Sequence, residues 1–213
     1  LAGDSAQAAA ICEAAGTGAC YYISPTGSDS NSGAYDAPWK SFANITSYYQ
    51  DSFKSAGWKA VKAGDYIYVL GGTHNTVVHP GSGTGPQGGG AYIAYFRFGG
   101  GTAANPIHLK AYPGTKPIFD GAGTGIDLSQ TSGWVVSGIE VRNAAGAGIN
   151  IGETTNVEIF DMFIHDNASK VVEGNPTGLM INGAGAITVH HCTFQDNMEI
   201  PANVFPRGTG THL

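Results

Sequence analysis

The chain is poor in charge. Lysine, arginine, aspartate and glutamate make up 12% of its 213 residues, about half the ~25% of an ordinary globular protein. Its ten basic residues form no cluster and the net charge is −6, so it offers no phosphate footprint and nucleic acid is excluded as a partner. An anionic substrate is not excluded, because a local basic patch suffices. No apolar run reaches the ~18 residues a spanning helix needs, which excludes a helical membrane anchor within these residues. Low hydrophobicity, the mark of disorder, is absent too: 42% of the chain is apolar and 10% aromatic. Glycine is what abounds, at 33 residues, roughly twice its usual share. Few charges, many glycines and many β-branched residues describe a β-rich chain with many tight turns.

Cysteine is scarce, at three residues. Cys12 and Cys20 flank "EAAGTGA" and can close a small loop, whereas Cys192 falls where a side chain should face a core. The reading is one disulfide and one buried thiol, which favours an oxidising compartment; three free thiols are the alternative. The chain begins at Leu1 without a basic leader, as a mature secreted, extracellular protein would. Sequons at Asn44 and Asn167 permit glycosylation.

Laid against itself, the chain repeats. "WVVSGIEVRN" from Trp134, "VEIFDMFIHD" from Val157 and "ITVHHCTFQD" from Ile187 align without gaps. Apolar residues recur at four offsets: Trp134, Val136, Ile139 and Val141; Val157, Ile159, Met162 and Ile164; Ile187, Val189, Cys192 and Phe194. Eight residues before each segment a shorter strand also repeats, as "GIDL", "GINI" and "GLMI". Period-two alternation marks strands with one buried face. The phase shift between Val136 and Ile139, and between Ile159 and Met162, marks a bend. Each repeat therefore predicts a coil of three short strands, unable to bury its apolar face alone but able to do so when stacked in parallel on its neighbours. The expected fold is an all-β parallel β-helix over residues 1–213, with 1–60 as cap and opening segment and 61–213 as coils. "DSAQAAAICEAA" predicts a short helix capped by Asp4 or Ser5, and "KSFANITSYYQDSFKSAG" a second one with Ile45, Tyr48, Tyr49 and Phe53 on one side, closing the solenoid's end. "GTGTHL" should begin a fourth coil, leaving the C-terminal end uncapped.

The opening runs "YYISPTGSDSNSGAYDAPWKSF", "AGDYIYVLGGTHN" and "NPIHLKAYPGTKPIFDG" resemble the first coils of secreted right-handed parallel β-helix proteins that act on polysaccharides, among them pectate-lyase-like and chondroitinase-like lyases, β-helical glycosidases and uronan epimerases. The resemblance covers roughly residues 21–200. It implies a right-handed fold and an acidic polysaccharide or other glycan as partner.

One corner of the repeat grows. Seven residues separate Val141 from Ile149, fourteen separate Ile164 from Leu179, and the loop after Phe194 is expected to run to about Thr211. Insertions on one face of a repeat protein usually build its binding surface. Part of the charge of this half falls there: His165, Asp166, Lys170, Glu173, Asp196, Glu199 and Arg207. A lyase of uronic acids needs a cation to neutralise the sugar carboxylate and a base to take the adjacent C–H proton. Lys170 and Arg207 are the base candidates. His165 and Glu173 are candidate substrate contacts, and Asp166, Asp196 and Glu199 candidate ligands for Ca2+, a hard ion that takes carboxylate oxygen. The consecutive aspartates that mark calcium sites in the superfamily are absent. Asp166, Asn167, Asp196 and Asn197 also read as a ladder of corner side chains bonded to turn amides. His190 and His191, adjacent on a strand, should point to opposite faces and be unable to share a metal. The leading function is thus a secreted polysaccharide lyase. The alternatives are a glycosidase using Asp166 and Asp196, or a non-catalytic structural or adhesive β-helix that binds glycans or associates end to end.

Overall fold

The computed structural model describes residues 2–16, 18–47, 55–78, 91–167, 177–183, 185–197, 200–205 and 211–212. The phase-shifted apolar pattern becomes strand triplets. β1 (Cys20–Ile23), β2 (Tyr66–Val69) and β3 (Gly72–His74) open the solenoid. Four full triplets follow: β4 (Tyr92–Arg97), β5 (Ile107–Ala111) and β6 (Pro117–Asp120); β7 (Thr124–Ser129), β8 (Ser132–Ser137) and β9 (Glu140–Arg142); β10 (Ile149–Gly152), β11 (Thr155–Phe160) and β12 (Phe163–His165); β13 (Thr177–Asn182), β14 (Gly185–His190) and β15 (Thr193–Gln195). β16 (Ile200–Phe205) and β17 (Thr211–His212) come last.

First strands of the triplets stack as sheet I, in the order β16-β13-β10-β7-β4. Second strands make sheet II, β1-β2-β5-β8-β11-β14-β17, and third strands sheet III, β15-β12-β9-β6-β3. Val157 pairs with Ile187 and Ile164 with Phe194, both in parallel. The molecule is an all-β parallel β-helix. Its core is a set of columns running along the axis. Phe96, Leu128, Ile151 and Ile181 stack in sheet I; Ile67, Leu109, Val136, Ile159 and Val189 in sheet II; Phe119, Val141, Ile164 and Phe194 in sheet III. Each buried aliphatic side chain contributes about 1.5–3 kcal/mol. Ile139 and Met162 are buried as the alignment requires. Cys192 and Phe194 are only half-buried, because the last described rung of sheet III lies at the sheet's edge.

The bends are made by left-handed backbone at recurrent positions. Phe98, Gln130, Glu153 and Gly183 turn the chain from sheet I to sheet II, with φ between 50° and 65°. Gly138, Asp161 and His191 turn it from sheet II to sheet III, and Gly121, Asn143, Asp166 and Asp196 turn it out of sheet III. Just past that last corner an amide ladder closes the turns. Asn167 Oδ1 accepts from the Ala144 amide at 3.0 Å, and Asn167 Nδ2 donates to the Val141 carbonyl at 3.0 Å. Asn197 repeats the pattern one coil on, accepting from the Asn167 amide and donating to the Ile164 carbonyl. The predicted corner ladder is therefore present for the two asparagines, whereas Asp166 and Asp196 bond the His165 and Gln195 side chains instead.

The N-terminal segment departs from expectation in two ways. α1 (Ala2–Ala15) begins ahead of Asp4, and it packs on the outer face of sheet II instead of the end of the solenoid. Ala8 lies against Tyr22, Tyr68 and Tyr112, and Tyr22 Oη donates to the Ala8 carbonyl. Cys12 and Cys20 are bridged, tying α1 to β1, and Cys192 is free. The second predicted helix is, among the described residues, a single 3-10 turn at Phe42–Asn44. Ser47 already pairs with Phe96 as an extended residue, so the segment cannot stay helical; Tyr48, Tyr49 and Phe53 lie outside the described residues. This turn closes the axial mouth, with Phe42 edge-on to Phe96 and Phe119. Trp39 is buried beside it. Gly33, at φ 83°, lies under the Trp39 ring, where a Cβ would come within 2.7 Å.

The far end also corrects the repeat. The fourth strand of the "GINI" type is β16, in which Ala202 pairs with Leu179 and Val204 with Ile181. Thr211 pairs with Ile187 as part of the second strand of that coil. The residues after Phe194 are thus not one long loop: four of them, 196–199, precede β16.

Candidate functional site

Along the outer face of sheet III, Asp120, Arg142, His165 and Gln195 occupy successive rungs. Residues two apart on a strand share a face, so Glu140 joins Arg142 and Phe163 joins His165. Arg142 donates from Nε and Nη2 to Asp120 Oδ2, at 3.0 and 2.9 Å, and from Nη1 to Glu140 Oε1 at 3.1 Å. Asn143 Nδ2 adds a 2.7 Å bond to Asp120 Oδ1. His165 Nε2 meets Glu140 Oε1 at 3.1 Å and its Nδ1 meets Asp166 Oδ2 at 2.6 Å. The Phe163 ring stacks on the imidazole at 4.0 Å. Partial burial acts to raise the Asp120 carboxyl, but hydrogen bonds from Asn143 and Arg142, with the fields of Arg142 and His165, hold it below the usual range. The same contact with Asp120 raises the Arg142 guanidinium. The result is a five-membered charge ladder leading to the corner where the long connection leaves β12.

Of the residues expected to form a site, the structure brings His165 and Asp166 into contact. Asp196 sits one rung beyond Asp166, its Oδ2 accepting from Gln195 Nε2 at 2.9 Å. Lys170, Glu173, Glu199 and Arg207 lie outside the described residues. In the sequence Lys170 falls between β12 and β13, and Arg207 between β16 and β17. Asp120, Glu140 and Arg142 were missed, although Arg142 and His165 hold the same position in the gap-free alignment. Inward offsets guided that alignment, and the outward ones carry the charges.

Calcium takes six to eight oxygen ligands. The described residues supply two exposed carboxylates at this corner, one bonded to His165 and the other to Gln195. Among the described residues no cluster of three or more His, Cys, Asp or Glu is arranged to hold a metal. They do not by themselves make a calcium site.

The two sequons are not carried on accessible asparagines. Asn44 and Asn167 are each 1% exposed. Asn44 donates to the Asp29 carbonyl and accepts from Ser55, and Asn167 holds the corner ladder, so neither amide is free to carry a glycan.

A further polar pair went unread. Asp127 on β7 and Asn150 on β10 face outward from sheet I, and Asn150 Nδ2 donates to Asp127 Oδ2 at 2.7 Å. The Oδ1 atoms of both are buried without a hydrogen-bond partner. No described helix is long and apolar enough to cross a membrane.

A search of curated proteins returned no match. Among solved structures the chain is similar to a pectate lyase, Pel9A, with a TM-score of 0.60 and 21% identity over 92% of this chain and 46% of that one. It also aligns with a rhamnogalacturonan lyase at a TM-score of 0.46 and 20% identity, over 92% of this chain and 62% of that one. The chain therefore spans about half the length of the first and under two thirds of the second. A family model, the Pel9A-like right-handed β-helix region, matches residues 21–210. With parallel sheets stacked about one axis and the model matched over nearly the whole chain, the protein belongs to the Pel9A-like right-handed β-helix family.

Proposed function

We propose that this chain is part of a secreted polysaccharide lyase that cleaves a uronic-acid-containing glycan by β-elimination. The observation that carries the reading is the family match over residues 21–210, joined to a pectate lyase among the similar folds. The Cys12–Cys20 bridge supports an oxidising, extracellular setting. In the reaction a base takes the proton beside the uronate carboxylate, the glycosidic oxygen leaves with its bonding pair, and an unsaturated sugar remains. Lys170 and Arg207 are the proposed bases, separately, since they belong to different connections of the chain. His165, held between Glu140 and Asp166, is the proposed contact to a sugar hydroxyl or carboxylate, and Glu173, eight residues on in the sequence, is a second. Asp166, Asp196 and Glu199 are proposed ligands for substrate hydroxyls or a cation.

The test is turnover of a panel of uronans, read as the ultraviolet absorbance of the conjugated product, with and without a chelator. Lys170→Ala or Arg207→Ala should lower turnover about 10²–10⁴-fold if that residue is the base. Full turnover in both, with an intact circular dichroism spectrum, removes both.

One observation favours a second reading, a non-catalytic glycan-binding β-helix. Asp120, Glu140, Arg142, His165 and Asp166 are all engaged with one another, as a structural ladder would be. That reading expects glycan binding or end-to-end filaments without unsaturated product.

A further inference from the structure

At the corner between sheets II and III lies a cluster that the proposed reaction does not use. β14 ends at His190, and strict alternation would send His191 to the other face. His191 instead occupies the left-handed corner at φ 53°, which swings its ring back beside that of its neighbour. The two Nδ1 atoms stand 2.6 Å apart, and the rings cross at 80°.

We propose that His190 Nδ1 and His191 Nδ1 form a two-nitrogen chelate for a transition-metal dication, copper(II) in preference to zinc. Three features prepare it. Glu158 Oε1 lies 3.1 Å from His190 Nε2. A carboxylate only accepts, so it holds the imidazole proton on Nε2 and leaves the Nδ1 lone pair facing His191. The Phe160 ring, one rung away, lies parallel to the His190 ring at 5.3 Å and 6°, which limits its rotation. The cluster is open to solvent, with the His190 and Glu158 side chains 37% and 46% exposed. Asp161 holds the same corner one coil earlier.

The spacing selects the metal. Ligands bonded at about 2.0 Å and set at right angles on a tetragonal centre are about 2.8 Å apart, whereas a tetrahedral centre needs about 3.3 Å. The observed 2.6 Å is a hydrogen-bond contact, so both rings must turn for their Nδ1 lone pairs to converge on an ion beside the N···N line. The span of about 2.8 Å asks for less opening than the span of about 3.3 Å. Without metal, a single proton shared between the two nitrogens fills the gap. With metal, that proton moves to the exposed Nε2 of His191, the two rings turn so that both Nδ1 lone pairs face the ion, and water completes the coordination. Glu158 pairs with Thr188 in the strand register and reaches His190 Nε2 through its side chain at 3.1 Å, as the partner that orients a metal-bound imidazole.

The full chain is titrated with copper(II), followed by visible absorption and by nitrogen hyperfine structure in electron paramagnetic resonance. One copper per chain with two-nitrogen coupling is expected. His191→Asn tests the chelate with little strain, because asparagine accepts the left-handed corner. It should weaken this site at least about tenfold, and His190→Asn/His191→Asn should abolish it. Glu158→Gln should weaken it about tenfold, as loss of an orienting partner does. The chain's other five histidines (seven in all) are present in every variant. Copper binding unchanged in the double variant, or zinc held more tightly than copper, overturns the proposal.

Discussion

Asp127 points away from the core and is still only 4% exposed. Burial drives its carboxyl up to about 6, and hydrogen bonds from Ser129 and Asn150 with the field of Arg97 recover only part of the rise. The folded protein therefore holds a proton that the unfolded chain releases near its ordinary 3.8. Its contribution to stability is complete below about pH 4 and is lost as pH climbs through about 6. Asp127→Asn removes this dependence. The melting temperature of the parent should fall between pH 4 and 7 relative to the variant, which should be more stable at pH 7.5 by on the order of 2–3 kcal/mol. Asn167 makes the opposite case, a buried amide that is fully used. Asn167→Ala strands the Ala144 amide and the Val141 carbonyl and should cost about 2–4 kcal/mol in denaturant titration. Peptide mapping after expression in a glycosylating host should return Asn44 and Asn167 unmodified. None of this was legible from residue type. A sequon reads the same whether its asparagine is bonded or bare, and an outward strand position reads as solvent-facing until something covers it.

At the scale of the element, the strands were legible and the corners were not. Burial on one side of every strand repeats period two from coil to coil, so Ile126, Ile149 and Leu179 declare themselves without help. The corners need positive φ, which glycine would have announced, yet Gln130, Glu153, Asp161 and His191 take it. Polar or short side chains tolerate this conformation, and β-branched ones do not. Asp161→Gly should be neutral or slightly stabilising, while Asp161→Val should lose about 1–3 kcal/mol, a contrast that thermal melts of the two variants can read. His191 at such a corner is also why two adjacent histidines share a side against the alternation rule. β16 escaped notice for another reason. Its apolar alternation is present, but no glycine precedes it as in the other first strands, and Pro201 interrupts the pattern. The charge ladder of sheet III escaped because outward side chains pair through rotamers, and no periodicity records those.

Over the whole molecule, stability accrues coil by coil, since each coil packs mainly on its neighbours. The N-terminal region adds a different kind of restraint. There the Cys12–Cys20 bridge holds α1 over the tyrosines of sheet II. Cys12→Ser/Cys20→Ser should cost about 2–3 kcal/mol, lowering the melting temperature by roughly 5–10 °C. Thiol titration of the denatured, unreduced parent should count one cysteine.

The connections themselves are unequal. In the last three full coils, two residues join sheet I to sheet II and two join sheet II to sheet III, whereas the links from sheet III back to sheet I run from three residues to eleven. A one-residue insertion at either short corner would put the next strand out of phase and turn its apolar side chains toward water. At the long corner an added residue stays within the connection. Descendants of this chain can therefore change length at one place per turn and at almost no other. The edge that changes is the one where the charge ladder ends, so new specificities can be tried there while the stacked interior is inherited unaltered.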